Sequence, residues 1–103
     1  DIVSLQEANE LISDHKFIIN STSIGMKNEP SILATYDIGD NHVVYDIVYQ
    51  PINTDLIKKS KENGATIIYG YEMLLSQAAC SFEIWHKTEA PYDVMKKALL
   101  GGV

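Results

Sequence analysis

Short apolar runs alternate with segments of helical spacing along this 103-residue chain. The runs at residues 16–20, 43–48 and 65–69 are rich in Ile, Val and Tyr and predict three strands that are buried in a sheet. Apolar residues that recur every three or four positions predict four helices, at about residues 4–12, 54–63, 70–86 and 91–100. Strands that alternate with helices over short connections indicate an α/β fold built on a parallel sheet.

Residues typical of helix ends support these boundaries. Ser4 and Glu7 have the spacing of a capping box, and Thr54 has the position of an N-cap. Gly64 follows the second helix where a left-handed C-cap belongs, and Pro91 is expected in the first turn of the last helix. Residues 31–41 predict a short helical turn followed by a turn at residues 39–41.

A sheet of about three strands is small for this fold class. At least one edge strand would present unpaired backbone N–H and C=O groups, which are a template for pairing with another chain. The sequence therefore predicts self-association through an exposed sheet edge. No internal repeat, low-complexity segment or domain boundary interrupts the chain, so a single domain is expected.

Charge and composition narrow the class of protein. The formal net charge of −6 argues against nucleic acid as a partner, because a phosphate-binding surface needs clustered Lys and Arg. No apolar run approaches the roughly 20 residues of a membrane span, so no membrane partner is expected. Cys80 is the one cysteine, which predicts a small buried side chain and is compatible with a cytoplasmic location. The start at Asp1 without a methionine suggests a fragment or a processed protein.

Polar side chains follow the first two predicted strands, where open α/β sheets bind ligands. Residues 20–23 (NSTS) could hold a ribose, an amide or a phosphate, although a turn whose hydroxyls satisfy their own backbone is favoured for this segment alone. Asp46 interrupts an apolar run, and a structural tie to a neighbouring loop is favoured over catalysis. Tyr49 follows at the strand end, where its hydroxyl could donate to a substrate.

The start of the long helix is the second candidate region. Gly70 has no side chain and could let a flat ligand approach the backbone. Met73 could pack against a ring, although a methionine at helical spacing is more often part of a core. Gln77 is predicted on the apolar side of the helix, where its amide needs partners, and it is the strongest single functional candidate. The histidines His15, His42 and His86 are far apart in sequence and predict no metal site.

Three ordered motifs resemble those of the shikimate dehydrogenase family: residues 20–26 (NSTSIGM), residues 45–51 (YDIVYQP) and residues 70–79 (GYEMLLSQAA). The resemblance implies a partial Rossmann-like sheet, with residues 1–103 forming the C-terminal half of a nucleotide-binding domain and the helices after it. It also implies NADP as cofactor and shikimate or 3-dehydroshikimate as substrate, bound by Tyr49 and Gln77. The residues that would line the nicotinamide side of the cofactor are Ser21, Thr22, Ser23, Ile47, Gly70 and Met73.

The same resemblance implies what these residues lack. The family's glycine-rich pyrophosphate loop is not among them, and neither are the lysine and aspartate that transfer protons, so no catalytic residue is predicted in this chain. The expected function is one wall of an NADPH-dependent enzyme that reduces 3-dehydroshikimate, with no activity by itself. Two alternatives stay open: a quinate/shikimate dehydrogenase that uses NAD or NADP, and a non-catalytic α/β module that associates through its sheet edge.

Overall fold

The computed structural model describes residues 1–33 and 35–101. The chain divides into two compact units, Asp1–Gly70 and Tyr71–Val103. The first unit contains the sheet. The second contains all but the first residue of the long helix, together with the last helix.

The first unit has a three-stranded parallel sheet in the order β1-β2-β3. Its elements are α1 (Leu5–Leu11), β1 (Phe17–Asn20), β2 (Val43–Asp46), α2 (Asp55–Glu62) and β3 (Thr66–Ile68). Short 3-10 turns at Ile12–Asp14 and Thr35–Asp37 precede β1 and β2. The α/β class, the parallel sheet and the order of elements predicted from the sequence are confirmed.

The second unit consists of two helices, α3 (Gly70–His86) and α4 (Tyr92–Leu99), and α3 has the predicted boundaries. Pro91 is the N-cap residue of α4 rather than part of its first turn, because the helix begins one residue later. None of the helices in the described ranges is long and apolar enough to cross a membrane.

Capping interactions fix the helix ends in the first unit. The Ser4 hydroxyl accepts a hydrogen bond from the backbone N–H of Glu7, and the Thr54 hydroxyl accepts one from the backbone N–H of Ile57. Such bonds satisfy backbone donors that have no partner inside the helix. Gly64 follows α2 with a φ of 88°, the left-handed conformation that its sequence position predicts.

The core of the first unit lies between α2 and the sheet. It contains Ile12, Ile18, Ile38, Val44, Leu56, Ile57 and Ala65. The prediction that all three strands are buried is wrong for the edge strands: Phe17 and Ile19 of β1 are 64% and 63% exposed, and Thr66 and Ile68 of β3 are also exposed. Only alternate residues of β1 point into the core, because this unit covers one face of that strand.

The buried side of α3 also differs from the prediction. Gly70, Leu75 and Ala79 are the buried residues of this helix, whereas Gln77, predicted on its apolar side, is exposed. Cys80 is exposed and not buried as predicted. Residues 73–80 are apolar on several sides of the helix, so the spacing of apolar residues does not select one face.

Candidate functional site

The sheet register brings the ends of the first two strands together. Asn20 is the last residue of β1, Asp46 is the last residue of β2, and the two are paired in the parallel register. The chain leaves the sheet after each of them, and we call residues 21–23 the first segment and residues 47–50 the second segment. Both segments therefore begin at the same edge of the sheet, the carboxyl edge, where α/β proteins bind ligands.

These two segments line an open cleft of about 740 Å³. The lining residues are Ser21, Thr22, Ser23, Met26, Ile47, Val48, Tyr49 and Gln50. Five of the residues predicted as site residues are thus together, namely Ser21, Thr22, Ser23, Ile47 and Tyr49. Met26, Val48 and Gln50 were not predicted as site residues from the sequence. An apolar or amide side chain in a loop carries no distinctive signal of a site.

The first segment is held by the buried side chain of Asn20. Its amide oxygen accepts hydrogen bonds from the Thr22 backbone N–H at 3.1 Å and from the Thr22 hydroxyl at 2.6 Å. The Thr22 hydroxyl in turn accepts from the Ile24 backbone N–H at 3.1 Å. The hydroxyl of Thr22 is therefore engaged inside the loop, as the structural alternative for this segment predicted.

The second segment is held by Asp46, which is fully buried. Its Oδ1 accepts hydrogen bonds from the amide of Asn20 and from the backbone N–H of Val48, both at 3.0 Å. Its Oδ2 accepts from the Thr54 hydroxyl at 2.7 Å. The structural role favoured for Asp46 from the sequence is confirmed: it ties the end of β2 to Asn20, the last residue of β1, and to Thr54 at the start of α2.

Three hydroxyl groups at the cleft remain available for a ligand. The side chains of Ser21, Ser23 and Tyr49 are exposed and form no hydrogen bond within the described residues. Each can donate one hydrogen bond and accept others. The apolar side chains of Met26, Ile47 and Val48 complete the lining, so the cleft suits a ligand with both polar groups and a flat or apolar surface.

Gly70, the first residue of α3, approaches the backbone of the second segment closely. A Cβ atom at this position would lie 2.5 Å from the carbonyl oxygen of Val48 and 2.7 Å from those of Asp46 and Ile47. The absence of a side chain is therefore required by the protein's own backbone. These carbonyl groups fill the space on that side of Gly70. The predicted contact of Gly70 with a cofactor stays a prediction.

Met73 and Gln77 belong to the second unit and do not line the cleft described for the first. Met73 is 54% exposed. Gln77 is also exposed, and its amide nitrogen donates to the Leu74 carbonyl oxygen of the same helix at 3.1 Å. The amide oxygen of Gln77 has no partner among the described residues, so it can still accept a hydrogen bond from a ligand.

Two carboxyl groups organise the loop that continues from the first segment. Glu29 accepts hydrogen bonds from the backbone N–H groups of Lys27 and Gly25, and the bond from Lys27 contributes most to holding its pKa below the ordinary value of 4.5. The backbone N–H of Ser31 donates to Asp55 at 2.7 Å and, together with Lys59, holds the pKa of Asp55 below 3.8. Both carboxyl groups are thus bound more strongly in their charged form.

Acid is therefore expected to loosen this loop. A carboxyl group whose pKa is lowered by folding stabilises the protein above its unfolded-state pKa, and this stabilisation is lost as the pH falls through the folded-state value. The free energy of unfolding should fall as the pH drops below the ordinary values of 4.5 for Glu29 and 3.8 for Asp55. Urea unfolding across this range should give a shallower pH dependence for the double variant Glu29→Gln, Asp55→Asn. An equal slope in parent and variant would contradict the assignment.

His42 has a structural role in the first unit. His42 is buried, its Nδ1 accepts a hydrogen bond from the Gly39 backbone N–H, and its Nε2 lies 2.9 Å from the Ile12 carbonyl oxygen. Both ring nitrogens are therefore used by the fold. Across residues 1–33 and 35–101, no group of three or more His, Cys, Asp or Glu side chains is arranged to hold a metal ion.

Comparison with known proteins identifies related sequences and structures. A family model described as "Shikimate 5'-dehydrogenase C-terminal domain" matches residues 70–100. The chain is 55% identical over 100 residues to "Shikimate dehydrogenase (NADP(+))" of Nitrosopumilus maritimus, covering 97% of this chain and 37% of that protein. The chain therefore spans little more than a third of the length of this relative.

Solved structures match nearly the whole of this chain and about a third of their own length. Quinate dehydrogenase from Corynebacterium glutamicum in complex with NAD has a TM-score of 0.89 and 26% identity, over 96% of this chain and 36% of that one. Shikimate 5-dehydrogenase from Listeria monocytogenes in complex with shikimate and NAD has a TM-score of 0.81 and 30% identity, over 93% of this chain and 34% of that one. The Rossmann-like architecture is thereby confirmed, and the chain belongs to the shikimate dehydrogenase family, to whose C-terminal part it corresponds.

Proposed function

We propose that this chain is the C-terminal part of an NADP-dependent shikimate dehydrogenase and supplies one wall of its substrate and nicotinamide cleft. The observation that carries the proposal is the cleft at the carboxyl edge of the sheet, where the first and second segments present unengaged hydroxyl groups beside apolar side chains. The 55% identity to the Nitrosopumilus maritimus relative supports the same activity. The reaction is the NADPH-dependent reduction of 3-dehydroshikimate to shikimate, a step in the biosynthesis of aromatic amino acids.

Tyr49 and Gln77 are the proposed substrate-binding residues. The Tyr49 hydroxyl is free to donate to a hydroxyl or carboxylate group of shikimate, and the Gln77 amide oxygen is free to accept from a substrate hydroxyl. Shikimate carries several such groups on an apolar ring, so it matches a cleft lined by both kinds of surface.

The residues of the first segment fit the polar end of a nicotinamide. In the proposal, the hydroxyls of Ser21 and Ser23 contact the cofactor, Thr22 holds the loop in shape, and Ile47, Gly70 and Met73 complete the lining. When NADPH is bound, it supplies the hydride. The chain has no G-x-G-x-x-G sequence for the pyrophosphate, so the proposal assigns tight cofactor binding and proton transfer to other parts of the enzyme, and the 103 residues alone are expected to be inactive.

A quinate/shikimate dehydrogenase that uses NAD is the second candidate. One specific observation favours it, namely the TM-score of 0.89 to quinate dehydrogenase in complex with NAD. Quinate and shikimate present similar hydroxyl and carboxylate groups, so Tyr49 and Gln77 would serve both. The family resemblance implies that the residues that distinguish NADP from NAD are not among these 103.

A chimeric enzyme tests the proposal. The matching 100-residue segment of the Nitrosopumilus maritimus enzyme is replaced by this chain, and the oxidation of shikimate is followed through NADPH absorbance. We expect activity within about tenfold of the unmodified relative, and more activity with NADP and shikimate than with NAD and quinate. A folded chimera without activity, beside an active parent, would overturn the proposal, and a preference for NAD and quinate would support the second candidate.

Substitutions in the chimera test the substrate-binding residues. Tyr49→Phe and Gln77→Ala should each raise the shikimate KM about tenfold, because each leaves a polar substrate group without its partner. Tyr36→Phe and Gln6→Ala, which change exposed residues outside the cleft, are the matched controls and should leave the KM unchanged. An unchanged KM in both test variants would refute the assignment.

Further parts of the proposal rest on the sequence. A cytoplasmic location, the absence of nucleic acid and membrane partners, and self-association through a sheet edge remain predictions. Self-association is supported by β1, which pairs only with β2 among the described strands and carries the exposed side chains of Phe17 and Ile19. Such an edge offers both backbone groups and apolar surface to a second chain.

A further inference from the structure

The two segments of the cleft are joined by one buried contact between their supporting side chains. The Asn20 amide nitrogen donates to Asp46 Oδ1 at 3.0 Å, across 26 positions of sequence. Asn20 is 8% exposed and Asp46 is fully buried. Neither residue lines the cleft, so both act behind its surface.

Asn20 uses its complete hydrogen-bonding capacity in this arrangement. Its oxygen accepts two hydrogen bonds, both from Thr22, and its nitrogen donates two, to the Ile24 carbonyl oxygen and to Asp46. An amide can make no more than four such bonds. The orientation of the amide is therefore fixed by both its oxygen and its nitrogen, and the first segment cannot shift without breaking a partly buried hydrogen bond.

Asp46 transmits the same constraint to the second segment. The oxygen that accepts from Asn20 also accepts from the Val48 backbone N–H, one residue before Tyr49. A displacement of Asn20 therefore disturbs Asp46 Oδ1, which is the acceptor for the backbone N–H next to Tyr49. The other oxygen is anchored by Thr54, which fixes the carboxyl group relative to α2.

We propose that Asn20 and Asp46 form a positioning pair that sets the distance between the two walls of the cleft and thereby the affinity for substrate and cofactor. This inference rests on the proposed function for its kinetic consequences, but the mechanical coupling of the two segments does not depend on it. The pair contacts neither ligand. It holds Ser21 and Ser23 on one wall and Tyr49 on the other in register.

Shape-preserving substitutions separate this role from simple stabilisation. Asn20→Asp keeps an oxygen for Thr22 but sets a second carboxyl oxygen against Asp46 Oδ1, so the link between the segments is lost. Asp46→Asn can keep Oδ1 for Asn20 and Val48 while its nitrogen donates to the Thr54 hydroxyl, so the link is retained. Ile57→Val is the stability control, since Ile57 is fully buried in α2 and its apolar side chain forms no hydrogen bond with the pair.

Kinetics in the chimeric enzyme give the first measurement. Asn20→Asp should raise the KM values for shikimate and NADP about tenfold or more, whereas Asp46→Asn should leave them within about threefold of the parent. Ile57→Val should lower the melting temperature without changing either KM. If Asn20→Asp lowers only kcat and the melting temperature, as a reduced folded fraction would, the positioning role is overturned.

Amide hydrogen exchange gives a measurement that needs no substrate. In the chimera labelled with ¹⁵N-threonine and ¹⁵N-valine, Asn20→Asp should accelerate exchange at the Val48 amide, and Asp46→Ala should accelerate it at the Thr22 amide, each by about tenfold. Effects confined to the substituted segment would overturn the coupling. An inactive parent chimera with reciprocal exchange effects would refute the proposed function and leave the positioning pair supported.

Discussion

Replacement of Gly70 by alanine is expected to lower the free energy of unfolding by about 3 kcal/mol or more. The added Cβ would lie 2.5 Å from one backbone carbonyl oxygen and 2.7 Å from two others, those of residues 46–48. These are backbone oxygens, and they cannot rotate away as the end of a flexible side chain can. The strand end and the start of α3 would have to separate.

Helix propensity alone predicts that alanine at this position would raise the free energy of unfolding, so the sizes of the two effects must be compared. Alanine is favoured over glycine in a helix by up to about 1 kcal/mol, and less at a helix end. Three simultaneous overlaps with carbonyl oxygens outweigh this gain. The substitution should also disturb the second segment of the cleft, because the three carbonyl groups belong to Asp46, Ile47 and Val48.

Urea unfolding followed by circular dichroism measures the effect, and Gly39→Ala is the matched control. The nearest atom to a Cβ at Gly39 would be the Asn63 carbonyl oxygen at 3.9 Å, an ordinary contact, so this variant should stay within about 0.5 kcal/mol of the parent. Failure of Gly70→Ala to fold at all would agree with the prediction. Equal stability of the two variants would refute the steric argument.

Local signals predicted the elements of this fold because the determinants are themselves local. The N-cap hydroxyls of Ser4 and Thr54 and the left-handed Gly64 act within four residues, and each is observed where its sequence position predicts. The apolar runs predicted all three strands, each one or two residues longer than observed. The parallel sheet followed from the alternation of strands and helices over short connections.

Burial and pairing were less predictable because they depend on partners far along the chain. The run of Phe17, Ile18 and Ile19 is apolar on both faces, yet the first unit covers only the face of Ile18. The contact of Asn20 with Asp46 depends on the register of two strands, which no local pattern specifies. The sequence did indicate that Asp46 needs buried partners, but it could not indicate which.

The candidate site was partly predictable for the same reason. Polar residues after adjacent parallel strands must meet at one edge of the sheet, so Ser21, Ser23 and Tyr49 could be grouped from the sequence alone. The engagement of the Thr22 hydroxyl by Asn20 is visible only in the folded loop. Gly70 was predicted as a point where a flat ligand approaches the backbone; in the first unit the atoms that approach it are the chain's own carbonyl oxygens, and the ligand contact stays a prediction.

His42 is expected to be a second major determinant of stability, although its sequence context was weighed only for metal binding. Its Nδ1 accepts from the Gly39 backbone N–H at 3.0 Å, so the ring hydrogen is on Nε2 and is donated to the Ile12 carbonyl oxygen at 2.9 Å. The ring thereby ties the 3-10 turn after α1 to the turn that leads into β2. Its side chain is only 6% exposed, so water cannot readily replace either bond.

Alanine at position 42 should therefore lower the free energy of unfolding by about 2 to 4 kcal/mol, from two unsatisfied backbone groups and the volume of the lost ring. His15→Ala is the matched control, because the His15 ring is exposed and, among the residues that the structure describes, bonds only to the Leu11 carbonyl oxygen of the preceding helix. That variant should change stability by less than about 0.5 kcal/mol. Urea unfolding compares the two variants directly. Equal losses in the two variants would refute the prediction, whereas the expected difference measures what the buried His42 ring contributes through its bonds to Gly39 and Ile12 and through its packing.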